Sequence, residues 1–441
     1  MFFATIQCMH SRRGRYGYIV FAGLIGMPVV LWLADAGFLV VTENSSAFLK
    51  SIGKASAFVG LAAYSLMPVL SMRHKVLEKA FGGLDVLYHL HAKAGKLSFM
   101  LIVAHPLFLG VGLVLGGAGI MNIWNWASLL IVTGVIGMVS LIALTGVAVY
   151  AHIKHQEWIA IHRLFGWLLP VLFIHALVAR GQIVQNRPLF YYMVTLGVVG
   201  FGAFLYRSVG GRYLIKRYRY VVAEVNALTP AVTELVLKPL GIPINYTPGQ
   251  FAYLSVKSAV IDEEPHPYSF TTANNGPYVR FTIKQLGDDT AHVKQLQPGA
   301  KASLEGPYGN FSLHNTKNTN QVWIAGGVGI TPFLSMARSL TGNSKYTVKL
   351  FYAAEELRDA VFLKELIAIR KTIPSMFDVT IVNRNISGFV SAEIIQQQIT
   401  DLATFDYFIC GPPVMMKLLK QQLLDKGVTE GQIFSEEFSM L

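Results

Sequence analysis

Apolar residues run in long unbroken blocks along the first half of the chain, and in short bursts or strict alternation along the second. Blocks long enough to cross a hydrocarbon core of ~30 Å, about 20 residues each, fall at roughly 17–41, 55–72, 88–116, 127–151, 158–179 and 188–207. Past Tyr213 the texture changes. The stretch Arg219–Lys238 carries β-branched runs, and Val279 to Lys284 alternates apolar and polar with period two, the mark of half-buried strands. These strands predict a small antiparallel barrel reaching to about residue 315. From Gln321 the pattern becomes strand, glycine turn, helix: QVWIAGG before TPFLSMARSL, YTVKLFYAA before a helix, and FDYFICG before PVMMKLLKQQLL. Such units build an α/β module on a parallel sheet. The expected architecture is therefore multi-domain: a six-helix transmembrane bundle over 1–215, an antiparallel β-barrel domain over 216–315, and an α/β parallel-sheet nucleotide domain over 316–441.

Composition supports the division. Of 441 residues 53% are apolar and only 14% charged, against roughly a quarter charged in an ordinary soluble protein. Residues 1–215 hold 16 Lys+Arg and 5 Asp+Glu, while residues 216–441 hold 21 and 20. The basic excess thus sits between apolar runs and not on an exposed basic face, so no nucleic-acid partner is expected. Lys and Arg in the short flanks give orientation. Arg12, Arg13, Arg15, Arg73, Lys75, Lys79, Lys154, Arg207 and Arg212 lie on one side, and Lys50, Lys54, Arg180 and Arg187 on the other. The first side is expected to be cytoplasmic, together with everything after span six. The Arg12–Arg15 cluster precedes an apolar stretch too long for a signal sequence, so the first span is expected to be retained. The two cysteines, Cys8 and Cys410, exclude a disulfide framework and a four-thiolate iron–sulfur cluster.

Four of the twelve histidines sit deep in two spans: His91 and His105 in the third, His162 and His175 in the fifth. An ionisable side chain in hydrocarbon is a functional hypothesis by default. Fourteen residues from His91 to His105 amount to ~21 Å of helix rise and bring the rings within about 40° of one face. Spans three and five run in the same direction, so the histidines pair by depth: His91 with His162, His105 with His175. Two stacked bis-histidine sites, each holding a b-type haem, would make a two-step electron wire; the alternative is four histidines satisfied by backbone carbonyls. His162 and His175 are 13 residues apart, about 140° out of phase on an ideal helix, so an overwound turn or a kink is expected, with Pro170 between them as its cause. Phe99 and Trp167 are placed to fill the gap between levels, or simply pack. His74, His89, His152 and His155 lie at the cytoplasmic ends.

Three further signatures lie in the second half. Glu264-Pro265-His266-Pro267-Tyr268-Ser269-Phe270-Thr271 offers an aromatic face for a flat ring and a hydroxyl for a ring nitrogen. Gly287-Asp288-Asp289-Thr290 opens a short helix, either as a pyrophosphate site or as an ordinary turn and cap. Gly326-Gly327-Val328-Gly329-Ile330-Thr331-Pro332-Phe333 links a buried strand to a helix, with Thr331 as N-cap and Pro332 at the first helical position. Its glycines let a dinucleotide phosphate approach the backbone. A later strand ends at Cys410-Gly411-Pro412, where a crevice outside the strand ends is expected.

In this order, the six spans, paired histidines and two soluble modules resemble the ferric reductase and NADPH oxidase superfamily of transmembrane flavocytochromes b. The resemblance covers nearly the whole chain. It implies that Tyr268 stacks on the flavin of a bound FAD with Ser269 near its reactive nitrogen, beside His266, Pro267 and Thr271. It implies that Gly287 and Thr290 cradle the pyrophosphate and that Gly326, Gly327, Gly329, Thr331 and Pro332 hold NADH or NADPH. Cys410, Gly411 and Pro412 would flank the nicotinamide, and Phe438 would cover the flavin until nicotinamide displaces it. Tyr268, Ser269, Cys410 and Phe438 form the expected catalytic set. Superoxide-producing animal members carry a further histidine where this chain has Leu109, and no calcium-binding extension precedes the spans. Oxygen is therefore the second choice of acceptor.

The expected activity is transmembrane electron transfer from cytoplasmic NAD(P)H through FAD and two haems to an acceptor on the far side. By resemblance that acceptor is a ferric chelate; oxygen and a periplasmic redox protein are the alternatives. Glu355 and Glu356 end the strand VKLFYAA, which favours a free ribose hydroxyl, whereas Arg358 argues for a 2′-phosphate; the balance leans to NADH. The expected setting is a bacterial inner membrane. Outside this class stand a membrane redox sensor and a flavin reductase merely tethered to the membrane, which would hold no haem.

Overall fold

A computed structural model describes residues 12–36, 43–117, 129–178, 182–316 and 318–436. It forms two compact units, one of residues 15–81 and 86–215, the other chiefly of residues 216–441. In the first unit the long helices are α1 (Arg12–Ala36), α2 (Ser45–Leu70), α3 (Leu84–Leu115), α4 (Leu129–Tyr150), α5 (His155–His162), α6 (Leu164–Val178) and α7 (Arg187–Phe204). Among the described residues six stretches are long and apolar enough to cross a membrane: Tyr16–Asp35, Ser45–Leu70, Leu84–Leu115, Val132–Tyr150, Gln156–Val178 and Arg187–Val209.

Two expectations need correction. The second span begins at Ser45 and not near residue 55. Lys50 and Lys54 interrupt its hydropathy but not its helix, which Asn44 caps by accepting from the Ala47 amide at 2.8 Å. The break in the fifth span lies at Arg163, between α5 and α6, and not at Pro170, which sits inside α6. The Gly166 amide bonds the Arg163 carbonyl at 3.0 Å, a tight turn advancing about 120° per residue where a regular helix advances 100°. That overwinding, directly after His162, adds about 60° over its three residues, in the direction the histidine spacing demands.

With no water in hydrocarbon, polar groups in such helices find partners inside the protein. Asn186, 4% exposed, accepts from the Leu189 amide and donates to the Leu31 carbonyl, tying α7 to α1. Tyr192 donates to Leu24 O, and Tyr64 of α2 to Phe165 O beside the break in span five.

The second unit holds two sheets. The first is antiparallel throughout, with strands β1 (Tyr218–Thr229), β2 (Val232–Pro239), β3 (Phe251–Lys257), β4 (His266–Ser269), β5 (Val279–Lys284) and β6 (Lys301–Tyr308) in the order β4-β3-β6-β1-β2-β5. One antiparallel bridge, Phe270 to Phe281, links the chain just past β4 to β5 at the opposite edge. Tyr220, Leu237, Phe270, Phe281 and Leu304 fill its core.

The second sheet is parallel: β7 (Asn320–Gly326), β8 (Thr347–Ala354), β9 (Phe377–Asn383), β10 (Asp406–Cys410) and β11 (Ile433–Ser435), in the order β11-β10-β7-β8-β9. Trp323, Leu350 and Phe408 bury against one face, and Val322, Ile324, Phe351 and Ile409 against the other. Such two-sided burial explains why these strands read as apolar runs. The helices used below are α8 (Asp288–His292), α9 (Thr331–Ser339), α10 (Leu363–Thr372) and α11 (Pro413–Asp425).

Candidate functional site

In the membrane-type unit, the rings of His91 and His162 lie with centroids 6.0 Å apart and planes at 47°. Two imidazoles bound to one metal, with a bond of about 2 Å on each side, put their ring centres roughly 6 Å apart. The orientation of each ring is also set. His91 Nδ1 lies 3.1 Å from the Met67 carbonyl and His105 Nδ1 2.8 Å from the Gly53 carbonyl. An Nδ1–H donated to a backbone carbonyl leaves Nε2 as the lone-pair nitrogen, the arrangement that prepares a histidine to ligate. Midway between, the buried Ser98 hydroxyl donates to the Gly60 carbonyl at 2.8 Å. Residues 91, 98 and 105 of α3 thus bond residues 67, 60 and 53 of α2, a ladder at seven-residue steps. Met67 is among the last four residues of α2, whose carbonyls lack an intrahelical donor, so His91 caps that helix.

The other histidine pair is His105 on α3 and His175 on α6. Thr133 Oγ1 lies 3.4 Å from His175 Nδ1, and Gly134 admits the ring: a Cβ there would stand 2.7 Å from His175 Cε1. His162 Nδ1 is buried with no hydrogen-bond partner, and the ring stacks on Trp158 at 4.6 Å. Trp167 does not fill the gap between levels. It is 52% exposed and packs edge-on against Phe201 and Phe204.

In the other unit, β4 is the edge strand of its sheet, which is where Pro267 can sit without breaking a ladder. Strand alternation separates the signature residues. His266 and Tyr268 line a pocket with Leu254, Val256, Ile261, Asp262 and Glu264. Ser269 and Thr271 occupy the alternate positions, 4% and 0% exposed, and their hydroxyls are buried without a hydrogen-bond partner. A buried hydroxyl left unpaired costs free energy. Gly287 is the N-cap of α8, and the Thr290 hydroxyl is already engaged, accepting from the Leu286 and Gly287 amides at 2.8 and 2.9 Å.

At the parallel sheet, the glycine turn follows β7 as a 3-10 turn over Gly327–Ile330 and runs straight into α9. Thr331 is therefore the first helical residue and not the N-cap, and its hydroxyl donates back to the Val328 carbonyl at 3.1 Å. Pro332 follows it. Gly329 is compelled by close approach: a Cβ would lie 2.3 Å from the Cys410 carbonyl oxygen. Gly326 and Gly411 also meet, the Gly326 Cα standing 3.0 Å from where a Gly411 Cβ would be, with Pro412 alongside. The ends of β7 and β10 thus lie against each other. Cys410 is buried there, and burial, with the Glu436 charge adding to it, pushes its thiol well above the usual range. Phe438 lies outside the described residues. Glu355 is exposed past the end of β8 and pairs with Arg384 at 3.4 Å, while Arg358 pairs with Glu356 at 2.8 Å.

The spacing of motifs gave no sign of the groups that tie these parts together: the Gly53 and Met67 carbonyls, Gly134, and Ser335 and Arg338 on α9. Backbone acceptors carry no sequence signal, and a serine and an arginine on an amphipathic helix look like solvated positions.

Residues 217–329 match the model of an FAD-binding domain and residues 323–421 that of an oxidoreductase NAD-binding domain. A flavohemoprotein of Rhizobium meliloti is 28% identical over 50% of this chain and 60% of its own length. The reductase component of propane 2-monooxygenase from Rhodococcus jostii is 25% identical over 59% of this chain and 74% of its own. The chain thus spans little more than half of the flavohemoprotein. The structure of a flavohemoglobin from Malassezia yamatoensis superposes with a TM-score of 0.51 at 18% identity, covering 91% of this chain and 98% of that one, a likeness of fold alone. The second unit is an FAD- and NAD(P)H-dependent oxidoreductase module. These FAD- and NAD-binding domains and the six apolar helices before them fit the resemblance to the ferric reductase and NADPH oxidase superfamily.

Proposed function

We propose that this protein carries electrons from cytoplasmic NAD(P)H, by way of FAD and two b haems, across a bacterial inner membrane to an acceptor on the far side, a ferric chelate in the first instance. FAD would supply the conversion of a two-electron donor into single-electron steps, and the haems the passage through hydrocarbon. The observation that carries the reading is the His91–His162 pair, 6.0 Å between ring centres in apolar helices, in a chain whose other unit is a dehydrogenase module. His105 and His175 form the second site, and the α2 carbonyls hold the α3 ligands in one tautomer.

The proposed division is a haem bundle over 1–215, an FAD domain over 216–315 and a nucleotide domain over 316–441. The Phe270–Phe281 bridge supports a barrel in the middle part. Tyr268, with His266 and Pro267, offers the ring face for the flavin; Ser269 and Thr271 offer the unpaired hydroxyls. The Gly287–Thr290 backbone is the pyrophosphate cradle. Gly326, Gly327, Gly329, Thr331 and Pro332 hold the nucleotide phosphates, and Cys410, Gly411 and Pro412 border the nicotinamide. Glu355, an exposed acid just past the end of β8, favours NADH. Phe438 is proposed as the aromatic cover of the flavin. The relatives named as reductase components support onward delivery of electrons.

Proteoliposomes with ferric citrate and a ferrous indicator trapped inside test the reading when NADH is added outside. Sustained ferrous formation inside supports it. Reduction confined to outside acceptors points to a tethered flavin reductase. A single reduction without turnover points to a redox sensor. Superoxide inside, in place of ferrous iron, makes oxygen the acceptor.

A further inference from the structure

On α9, one turn apart, Ser335 and Arg338 face the segment that leaves the flavin strand. The Ser335 hydroxyl donates to the Thr272 carbonyl at 2.5 Å, and Arg338 Nη1 donates to the Thr271 carbonyl at 2.6 Å. The other edge of the guanidinium is taken by Glu365 of α10, with Nε to Oε1 at 2.7 Å and Nη2 to Oε2 at 2.8 Å. This is a bidentate, charge-assisted pair, the strong and geometrically specific kind. Arg338 is mostly buried, its side chain 18% exposed, and it also lies over the Phe362 ring at 5.7 Å. Phe362 itself is held at φ +65°, immediately before α10. So the guanidinium is fixed by Glu365 and Phe362 on the nucleotide side and grips a backbone carbonyl on the flavin side.

The helix that bears this grip is the same one that the glycine turn opens. Its first residues, Thr331 and Pro332, belong to the proposed nucleotide cradle, and its residues 335 and 338 hold the two carbonyls that follow Ser269 and Phe270. We infer that Ser335 and Arg338 are positioning residues for hydride transfer: they clamp the flavin strand to the nucleotide helix and so set the distance between the two rings. This rests on the flavin and nucleotide placements proposed above. The transfer breaks the nicotinamide C4–H bond and forms an N–H bond on the flavin, moving two electrons and one proton from NAD(P)H to FAD. Its rate depends on near-attack geometry, and a displacement of ~1 Å can cost on the order of 100-fold. A clamp of this kind acts on the rate of the step and leaves the affinities for either ligand almost untouched.

The test uses the full-length detergent-solubilised protein. Flavin bleaching is followed in anaerobic single turnovers over a range of NADH concentrations, with C4-deuterated NADH in parallel. For Arg338→Ala the limiting rate should fall about 10- to 100-fold, with the apparent nucleotide Kd and the FAD content unchanged and the isotope effect enlarged. Ser335→Ala should lose less, about threefold to tenfold, and Arg338→Lys should recover part of the rate, since a lysine reaches the carbonyl but forms no fork with Glu365. Hydrogen exchange at residues 271–275 should quicken in Arg338→Ala, a readout independent of turnover. A rate unchanged in both Ala variants, or a loss that follows FAD content or nucleotide Kd alone, overturns the clamp. If Arg338→Ala does not fold, Ser335→Ala and Glu365→Gln decide by the same criteria. A wild-type protein that binds FAD but is not bleached by NADH or NADPH would instead remove the underlying functional reading.

Discussion

On the proposed reading the two units meet the same demand, holding a redox group in a fixed place, with different materials. In the apolar helices the candidate ligands are side chains, and the backbone of a neighbouring helix orients them: His91, Ser98 and His105 reach the carbonyls of Met67, Gly60 and Gly53 in steps of seven residues. In the dehydrogenase unit the candidate ligands are largely backbone at strand ends, and the side chains of a helix orient them, as Ser335 and Arg338 do. The difference follows from solvent. Hydrocarbon leaves no water to satisfy a stray polar group, so one placed there is costly unless paired and stands out in the sequence. A wet domain can spare its backbone for ligands and hide the supports among ordinary polar residues.

If this contrast holds, side-chain deletion should be most damaging in the first unit. His105→Leu and His175→Leu should each remove about half of the b-type haem absorbance of the purified protein, and so should His91→Leu or His162→Leu, while FAD content stays unchanged. Haem stoichiometry by pyridine haemochrome checks it. Equal haem in all four variants would make the histidines structural.

In the second unit the damaging change should be an added Cβ. Gly329→Ala forces the glycine turn away from the Cys410 carbonyl, 2.3 Å from the new atom. Overpacking of this sort costs roughly 1–3 kcal/mol. The apparent Kd for NADH should rise about tenfold or more with haem content intact, as titration of flavin reduction would show.

A smaller effect distinguishes the units by pH. Burial raises the Cys410 thiol, so the unfolded chain releases this proton at a lower pH than the folded one does. Stability is then fully present below the ordinary thiol value, about 8.5, and falls as pH rises beyond it. The thermal midpoint of flavin release should decline above about pH 9, and less steeply in Cys410→Ala. An identical decline in the variant would assign the effect to other groups, such as Tyr246, which burial pushes up to about 12.

How much of this was legible from residues alone follows the same division. Six spans, and the pairing of His91 with His162, could be read because an imidazole is conspicuous in an apolar helix and helical steps are regular. The position of the break in span five was not legible. Proline is a visible breaker, so Pro170 drew attention, whereas the overwinding occurs at Arg163, where nothing in local propensity marks a turn. Lys50 and Lys54 hid the first turns of α2 because hydropathy is not helicity. In the second unit the glycine turn was readable, but the N-cap assigned to Thr331 was displaced by a 3-10 turn that leads directly into α9. Arg338 gave no sequence signal, since its role depends on a carbonyl 67 residues away.

The central claim is that one wire joins the two units, and a visible spectrum of the purified detergent-solubilised protein, before and after anaerobic NADH, tests it most directly. The account predicts that flavin absorbance falls while a b-type α band rises, at two haems per flavin. Flavin that bleaches with no α band at all would contradict it, and the transmembrane electron path would have to be abandoned.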